Sequence, residues 1–225
     1  RLRPLTDHQA KPLLPVRGWP MIDHVLDKFH GCAAIDGVYV VTNSRYAGNF
    51  SAWAQTVPTQ HPGCGWQVRV FDDGTHSNED RRGAIGDIHF VIEQAGLDDD
   101  LIVVAGDNLF SQSLVDYVAT AQRQGILIGV YDVGNLELIK QYNNIRVEPE
   151  TAAGSSAERI TYFEEKPAQP VSTLTAIALY HYPRASLPLI RQYIAEGQNP
   201  DQPGRLVQWL YPRAPCYAYR IAGLW

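Results

Sequence analysis

The sequence has little cysteine and no long apolar run. Its 3 cysteines among 225 residues stand alone at Cys32, Cys64 and Cys216, and no CxxC pair occurs. A disulfide framework or a zinc knuckle is therefore not expected, and a reducing cytoplasm is the default compartment. The longest apolar stretches, such as 101–105, are far too short to cross a bilayer, so no membrane partner is expected.

Basic clusters, an apolar leader and paired histidines are also missing. Asp and Glu number 24 against 19 Lys and Arg, which gives a net charge of −5, and no stretch is dense in Lys or Arg. Nucleic acid is therefore not expected as the main partner. The chain opens on Arg1-Leu2-Arg3 rather than on a signal segment, and its 7 histidines lack the spacing of a transition-metal site. With 45% hydrophobic residues, we expect a globular cytoplasmic protein rather than a disordered one.

What the sequence does contain is an alternation of helical and extended patterns. Helical periodicity predicts helices at 21–29, 46–54, 84–95, 114–121, 186–196 and 205–211. Short apolar or alternating runs predict strands at 38–41, 67–71, 101–105, 126–130, 145–147, 160–163, 179–182 and 217–221. This order predicts one α/β domain over 1–225, a Rossmann-like three-layer sandwich with a mostly parallel central sheet and a β-rich second half.

An acidic residue follows the strand with the clearest pattern. Gly106-Asp107-Asn108 comes directly after the predicted strand 101–105. Open parallel sheets place ligands at the carboxyl ends of their strands, where a carboxylate can hold a metal ion that touches phosphates. The alternative is that Asp107 caps the turn that follows, which is a common role for Asp after a strand.

The opening segment carries cations in a proline-rich, non-helical stretch. Arg1 and Arg3 precede Lys11, which begins the run Lys-Pro-Leu-Leu-Pro-Val. Fixed loops with cations suit polyphosphate binding, because Arg is bidentate and Lys is a compact point charge. Taken alone, a solvated basic start is the simpler explanation.

Three weaker signals lie elsewhere. Glu165 and Lys166 are held at the end of the predicted strand 159–163 by Pro167, although a surface charge pair would look the same. Gly83 opens a predicted helix and permits close approach of a ligand to the backbone. The acidic run 98–100 precedes its strand, so we expect a solvated loop there rather than a metal site.

In combination, these motifs resemble the sugar-1-phosphate nucleotidyltransferase family, whose members include thymidylyl-, uridylyl- and cytidylyltransferases. The resemblance spans the whole chain and rests on the order Arg-Leu-Arg-Pro-Leu-Thr, Lys-Pro-Leu-Leu-Pro-Val, Pro-Met-Ile, Gly-Ala-Ile, Gly-Asp-Asn and Glu-Glu-Lys-Pro. It implies a nucleotide-diphospho-sugar transferase fold. It also implies a Mg²⁺-dependent reaction in which UTP, dTTP or CTP and a sugar 1-phosphate give an NDP-sugar and pyrophosphate. Homo-oligomers are common among such proteins.

The resemblance also implies roles for residues on the nucleotide side. Arg1 is similar to the arginine that neutralises the triphosphate, and Lys11 to the signature lysine that contacts phosphate. Gly83 is similar to the glycine beside the base. Asp107 is similar to the Mg²⁺ ligand. The family's first strand and glycine-rich loop would precede Arg1, and its C-terminal end, with a second metal-binding Asp, would follow Trp225, so we expect 1–225 to lack them.

On the acceptor side, Glu165 resembles the residue that binds sugar hydroxyls, and Lys166 the one that holds the acceptor phosphate. Two positions depart from the family: Asn143 stands where a glycine follows tyrosine, and Ala178 where a glycine follows threonine. Both line the implied acceptor pocket. Asn can adopt a positive φ, whereas Ala178 adds a methyl group.

These departures keep other functions open. The acceptor could be a non-sugar alcohol phosphate such as phosphocholine. A catalytically silent, nucleotide-sugar-binding regulatory subunit would also tolerate the altered pocket. A glycosyltransferase of related architecture would use a DxD motif after a central strand, which Gly106-Asp107-Asn108 does not match.

Overall fold

The computed structural model describes residues 4–6, 8–77, 79–150 and 157–225. The strands are β1 Pro15–Val16, β2 Trp19–Pro20, β3 Gly37–Thr42, β4 Gln67–Asp72, β5 Leu101–Val104, β6 Ile126–Asp132, β7 Asn143–Pro149, β8 Glu158–Glu165, β9 Leu174–Tyr182 and β10 Cys216–Arg220. The α-helices are α1 Met21–Asp27, α2 Ala47–Ala54, α3 Val57–Gln60, α4 Ala84–Ala95, α5 Val115–Gln124, α6 Leu136–Ile139, α7 Leu187–Ala195 and α8 Pro203–Leu210. Lys11–Leu13 and Arg184–Ser186 form short 3₁₀ turns.

The central sheet is mixed. Its strands lie in the order β5-β9-β6-β10-β8-β7, while β3 and β4 pair in parallel as a separate sheet. The α/β class is confirmed, but the pairings of the central sheet are not mostly parallel: β6 and β10 are parallel, and every other recorded pair is antiparallel. The reason is that β9 lies between β5 and β6, and β8 between β10 and β7, each running against its neighbours. A run of apolar residues indicates that a strand is buried on both faces but does not indicate its direction. The sequence therefore could not predict the antiparallel pairs.

Helices cover both faces of the central sheet, as the three-layer prediction requires. Along β6, Ile126, Ile128 and Val130 belong to a core shared with α4, α7 and α8, whereas Leu127 belongs to a second core shared with α1, α2 and α5. Successive strand residues point to opposite faces, so this division shows that β6 is covered on both sides. Among the described residues, we find no helix with the length and hydrophobicity needed to span a membrane.

The helix α4 shows how the local sequence determines where a helix begins and ends and which face is buried. Gly83 precedes it with φ 79°, and Gly96 ends it in the left-handed conformation with φ 62°. Ile85 and Ile92 recur on one face and are fully buried. Burying each side chain contributes about 1.5–3 kcal/mol, so packing rather than helix propensity stabilises α4.

A β-bulge bends β9 near its middle. The register of β9 against β6 shifts between Ile128 and Val130, and Ala178 has φ 52°. Gly129 lies opposite, where an added Cβ would lie 2.9 Å from the Leu179 side chain. The bulge brings the Ala178 carbonyl within 3.0 Å of the Ala105 N–H, just after β5.

Candidate active site

Two of the predicted phosphate- and metal-binding residues meet at the carboxyl end of β5. The Lys11 Nζ donates a hydrogen bond to Asp107 Oδ2 at 2.6 Å. Their turns pack together, since a Cβ on Gly106 would lie 3.2 Å from the Pro12 Cβ. The side chains are 46% and 37% exposed, and an exposed pair of this kind stabilises a fold by only about 0–1 kcal/mol. The pair therefore places two opposite charges at an accessible strand end without being needed for folding.

The neighbouring Asn108 anchors this turn. It is buried, and its Nδ2 donates to the Ile177 carbonyl at 2.6 Å, while its Oδ1 accepts from Trp225 Nε1 at 3.1 Å. The Asp107 carboxylate faces Lys11 instead of capping the turn. The structure thus fixes the backbone and leaves the Asp107 carboxylate accessible.

The residues predicted for the acceptor side lie where β8 ends. Lys166 is exposed, has φ 50°, and donates its N–H to the Tyr142 carbonyl at 2.8 Å. Pro167, which follows it, is buried. A left-handed conformation costs a non-glycine residue about 1–3 kcal/mol and persists only where the surroundings enforce it. The Lys166 backbone is therefore held in place by its neighbours.

Glu165 offers a hydrogen-bond acceptor in a buried position. Its Oε2 has no hydrogen-bond partner among the described residues, and its N–H donates to Gln208 Oε1 at 3.3 Å. Gly204 makes room for this carboxylate, because a Cβ there would collide with Oε2. Burial raises the pKa of the Glu165 carboxyl, against the opposing charges of Arg205 and Lys166. A buried acceptor without a partner costs about 1–3 kcal/mol.

The two positions that depart from the family behave differently from the sequence-based expectation. Asn143 is not among the described non-glycine residues with positive φ, whereas Ala178 is, with φ 52°. The Asn143 Oδ1 accepts from the Ala176 N–H at 2.6 Å and from Thr175 Oγ1 at 3.1 Å, and its Nδ2 donates to the Ala176 carbonyl at 3.2 Å. The Asn143 amide therefore bonds to β9 rather than being free for a ligand.

Gly83 packs against the turn that contains Pro200 and Asp201. A Cβ on it would lie 2.6 Å from the Pro200 carbonyl oxygen. The first N–H groups of α4 are also used there: Ala84 donates to the Asp201 carbonyl at 3.2 Å and Ile85 to the Pro200 carbonyl at 2.8 Å. Packing against this turn is a sufficient reason for glycine at position 83, and its contact with a base stays a prediction.

A pair of carboxyls, one buried and one partly exposed, lies at the start of α4. Asp73 follows β4 and accepts from the Thr75 N–H and Thr75 Oγ1, both at 2.7 Å. Asp87, in the first turn of α4, faces Asp73. Burial and then the Asp73 charge raise the pKa of Asp87 to about 6, and the charge of Arg82 acts in the opposite direction.

Of the other predicted positions, Arg1 lies outside the described residues. The acidic run 98–100 is exposed, as expected for a solvated loop, and Asp98 pairs with Arg184 at 2.5 Å.

Two of the dispersed histidines contact each other although their spacing in the sequence did not indicate it: His30 Nε2 lies 2.8 Å from His61 Nδ1. In the described parts of the chain, we find no group of three or more His, Cys, Asp or Glu that could hold a metal ion.

Sequence reasoning missed an aromatic group beside these residues. The Trp225 ring centroid lies 5.8 Å from that of Tyr131 and 6.3 Å from that of Tyr142. Trp225 thereby connects the Asp107 turn, through its bond to Asn108, with the residue whose carbonyl holds Lys166. The positions of the tyrosines in the sequence could have indicated this group, because Tyr131 lies near the end of β6 and Tyr142 directly precedes β7.

The model of the nucleotidyl transferase family matches residues 1–207. The chain belongs to this family. It is 22% identical over 225 residues to the bifunctional protein GlmU of Methanocaldococcus jannaschii, covering 100% of this chain and 47% of that protein. The chain thus spans about half the length of this curated relative.

Solved structures show the same fold. A putative glucose-1-phosphate thymidylyltransferase from Bacillus anthracis, in complex with a sucrose, aligns over 100% of this chain and 83% of its own, with TM-score 0.73 and 22% identity. A UTP-bound UGPase from Acinetobacter baumannii aligns over 100% and 82%, with TM-score 0.75 and 20% identity. These matches support a nucleotide-diphospho-sugar transferase fold.

Proposed function

We propose that this protein transfers a nucleotidyl group from an NTP to the phosphate of a sugar 1-phosphate and releases pyrophosphate. The observation that carries the proposal is the contact between Lys11 and Asp107 at the carboxyl end of β5. Lys11 resembles the family's phosphate-binding lysine and Asp107 its Mg²⁺ ligand, and the two side chains meet there although 96 positions separate them. Membership of the nucleotidyl transferase family supports the same reaction type.

The residues around this contact suit a direct displacement. An oxygen of the acceptor phosphate attacks the α-phosphorus, a new P–O bond forms, and the bond to the β-phosphate bridging oxygen breaks. Such transfer needs positioning and charge neutralisation rather than a protein nucleophile. Lys11 and Arg1 would balance the NTP phosphates, and Lys166 would hold the acceptor phosphate.

Mg²⁺ would be held by Asp107. The ion takes one or two protein carboxylates and completes its shell with substrate phosphates and water, so a single accessible carboxylate beside a phosphate site fits it. When bound, the ion neutralises charge on the phosphates.

The acceptor side suits a hydroxyl-rich molecule. The Glu165 carboxylate, which resembles the group that binds sugar hydroxyls in the family, would accept a hydrogen bond from a hydroxyl of the acceptor next to Lys166. Gly83 would lie beside the base of UTP, dTTP or CTP. Among the structural neighbours, a UDP-glucose pyrophosphorylase complexed with UDP-glucose and a UTP-bound UGPase support a uridine nucleotide as the first to test.

The test is a panel of NTPs and sugar 1-phosphates, with the intact protein and Mg²⁺, monitored by pyrophosphate release and product mass. Release with at least one sugar phosphate supports the proposal. Nucleotide binding without release from any pair would contradict it and favour the regulatory alternative. A product containing phosphocholine would show that the acceptor is a non-sugar alcohol phosphate instead of a sugar phosphate. Cytoplasmic location and self-association stay predictions, which fractionation and light scattering would check.

A further inference from the structure

Asn144 makes an unusual number of contacts for one side chain outside the predicted motifs. It is fully buried at the second position of β7. Its Oδ1 accepts from the Val171 N–H at 2.6 Å and from the Ser172 N–H at 3.3 Å. Its Nδ2 donates to the Ser172 carbonyl at 2.9 Å and to the Leu174 carbonyl at 3.1 Å. Both ends of the amide are thus bonded to the segment that connects β8 with β9.

The same segment is held at two further points by the residues just before Asn144. The Tyr142 carbonyl accepts from the Lys166 N–H at 2.8 Å, and the Asn143 amide bonds both backbone groups of Ala176. Residues 142–144 therefore contact the connecting segment at its beginning and in its middle, and β9 just after the segment ends. We call this set of contacts the 142–144 latch.

The latch replaces bonds that the sheet does not provide. In the strand order, β8, β10 and β6 all lie between β7 and β9, so no ladder of backbone bonds joins the starts of β7 and β9. The segment that connects β8 with β9 is also bonded elsewhere: the Thr173 carbonyl accepts from the Val133 N–H at 3.0 Å, and Ser172 Oγ donates to the Ile145 carbonyl at 2.5 Å. The buried amides of Asn143 and Asn144 add direct bonds from the start of β7 to this segment and to the start of β9.

We propose that Asn144 is a positioning residue for the acceptor phosphate, acting through the backbone of Lys166. The Lys166 side chain is exposed, so the location of its amine depends on a backbone with φ 50° that must be enforced from outside. Asn144 fixes the segment that follows Lys166, and Tyr142 fixes Lys166 itself. This inference rests on the proposed function, because it gives Lys166 the role of phosphate ligand.

The test compares Asn144→Ala with wild type in the pyrophosphate assay and in amide hydrogen exchange. We expect the KM for the sugar 1-phosphate to rise about tenfold or more, with the KM for the NTP changed less than about twofold. The exchange of the Lys166 amide should accelerate, while amides of β5 and β6 keep their protection. A merely structural role would raise both KM values or lower kcat alone, and either result would overturn the proposal.

Asn135→Ala provides a matched control. Asn135 is exposed and also accepts backbone N–H bonds, from Glu137 and Leu138, but at the start of α6. The Asn135→Ala substitution should leave both KM values within about twofold of the wild-type values. If Asn144→Ala does not fold, Ser172→Ala removes at little change in volume the Ser172 Oγ, which accepts from Asn144 Nδ2 at 3.0 Å and donates to the Ile145 carbonyl, and it should shift the acceptor KM in the same direction. An unchanged acceptor KM in that variant counts against the latch, whereas an inactive wild type counts against the proposed function.

Discussion

Replacing Asp87 by Asn should remove a pH dependence from the stability of this protein. The Asp87 carboxyl lies in the first turn of α4 against Asp73, and burial followed by the Asp73 charge raises the pKa of Asp87 from 3.8 to about 6. An Asn at this position keeps the size of the side chain and can donate to Asp73, as the protonated carboxyl does. It never becomes charged.

The sign and size of the effect follow from linkage. The folded chain holds the Asp87 proton more tightly than the unfolded chain, so this stabilisation is complete below about pH 4 and is lost as the pH rises through about 6. A pKa shift from 3.8 to about 6 sets an upper bound of about 3 kcal/mol, at about 1.4 kcal/mol per unit. Because Asp87 is partly exposed, solvent screening reduces the expected difference to about 1–2 kcal/mol.

The assay is urea unfolding of both proteins at a series of pH values from about 4 to 8. The free energy of unfolding of Asp87→Asn, minus that of wild type, should be near zero at the acid end and rise to about 1–2 kcal/mol above pH 7. Taking the difference cancels the titration of all other groups. Asp99→Asn, an exposed acid on a loop, is the control and should give a flat difference. A flat difference for Asp87→Asn as well would refute the raised pKa of Asp87 in the folded protein.

Three further substitutions test the site. Asp107→Asn should lower turnover about a thousandfold and leave the unfolding midpoint in urea unchanged, because its pair with Lys11 is exposed; an unfolded or fully active variant would contradict the assignment. Lys166→Ala should raise mainly the KM for the sugar phosphate, and an effect confined to the NTP would argue against its role as acceptor-phosphate ligand. Gly204→Ala should displace the Glu165 carboxylate and raise the acceptor KM, while Gly48→Ala, whose Cβ meets nothing within 4 Å, should not.

Periodicity predicted the longer elements because burial leaves a direct trace in the sequence. The helix α4 and the strand β5 were both found close to their predicted bounds, since each places apolar side chains at regular positions. The short helices α3 and α6 were missed, because one turn is too short to show a period. The insertion of β9 between β5 and β6 was also missed, because strand order depends on contacts between distant segments.

The candidate site, like the fold, could be predicted from the sequence only in part. The order of motifs was sufficient to select Lys11 and Asp107, but only the fold shows that their charged groups lie 2.6 Å apart. Asn144 belongs to none of the motifs. The partners of Asn144 lie 27 to 30 positions further along the chain, so neither local propensity nor spacing could reveal them.

The two departures from the family's glycines look independent in the sequence, and the structure joins them. Ala178 takes a left-handed conformation that costs about 1–3 kcal/mol, and it does so in the bulge of β9. Asn143 bonds both backbone groups of Ala176, two positions earlier, through hydrogen bonds that each contribute about 0.5–1.5 kcal/mol. Since the amide of Asn143 fixes the backbone leading into Ala178, the side chain gained at one position helps to enforce the strained conformation at the other. The two departures are therefore a single coupled arrangement rather than two separate changes.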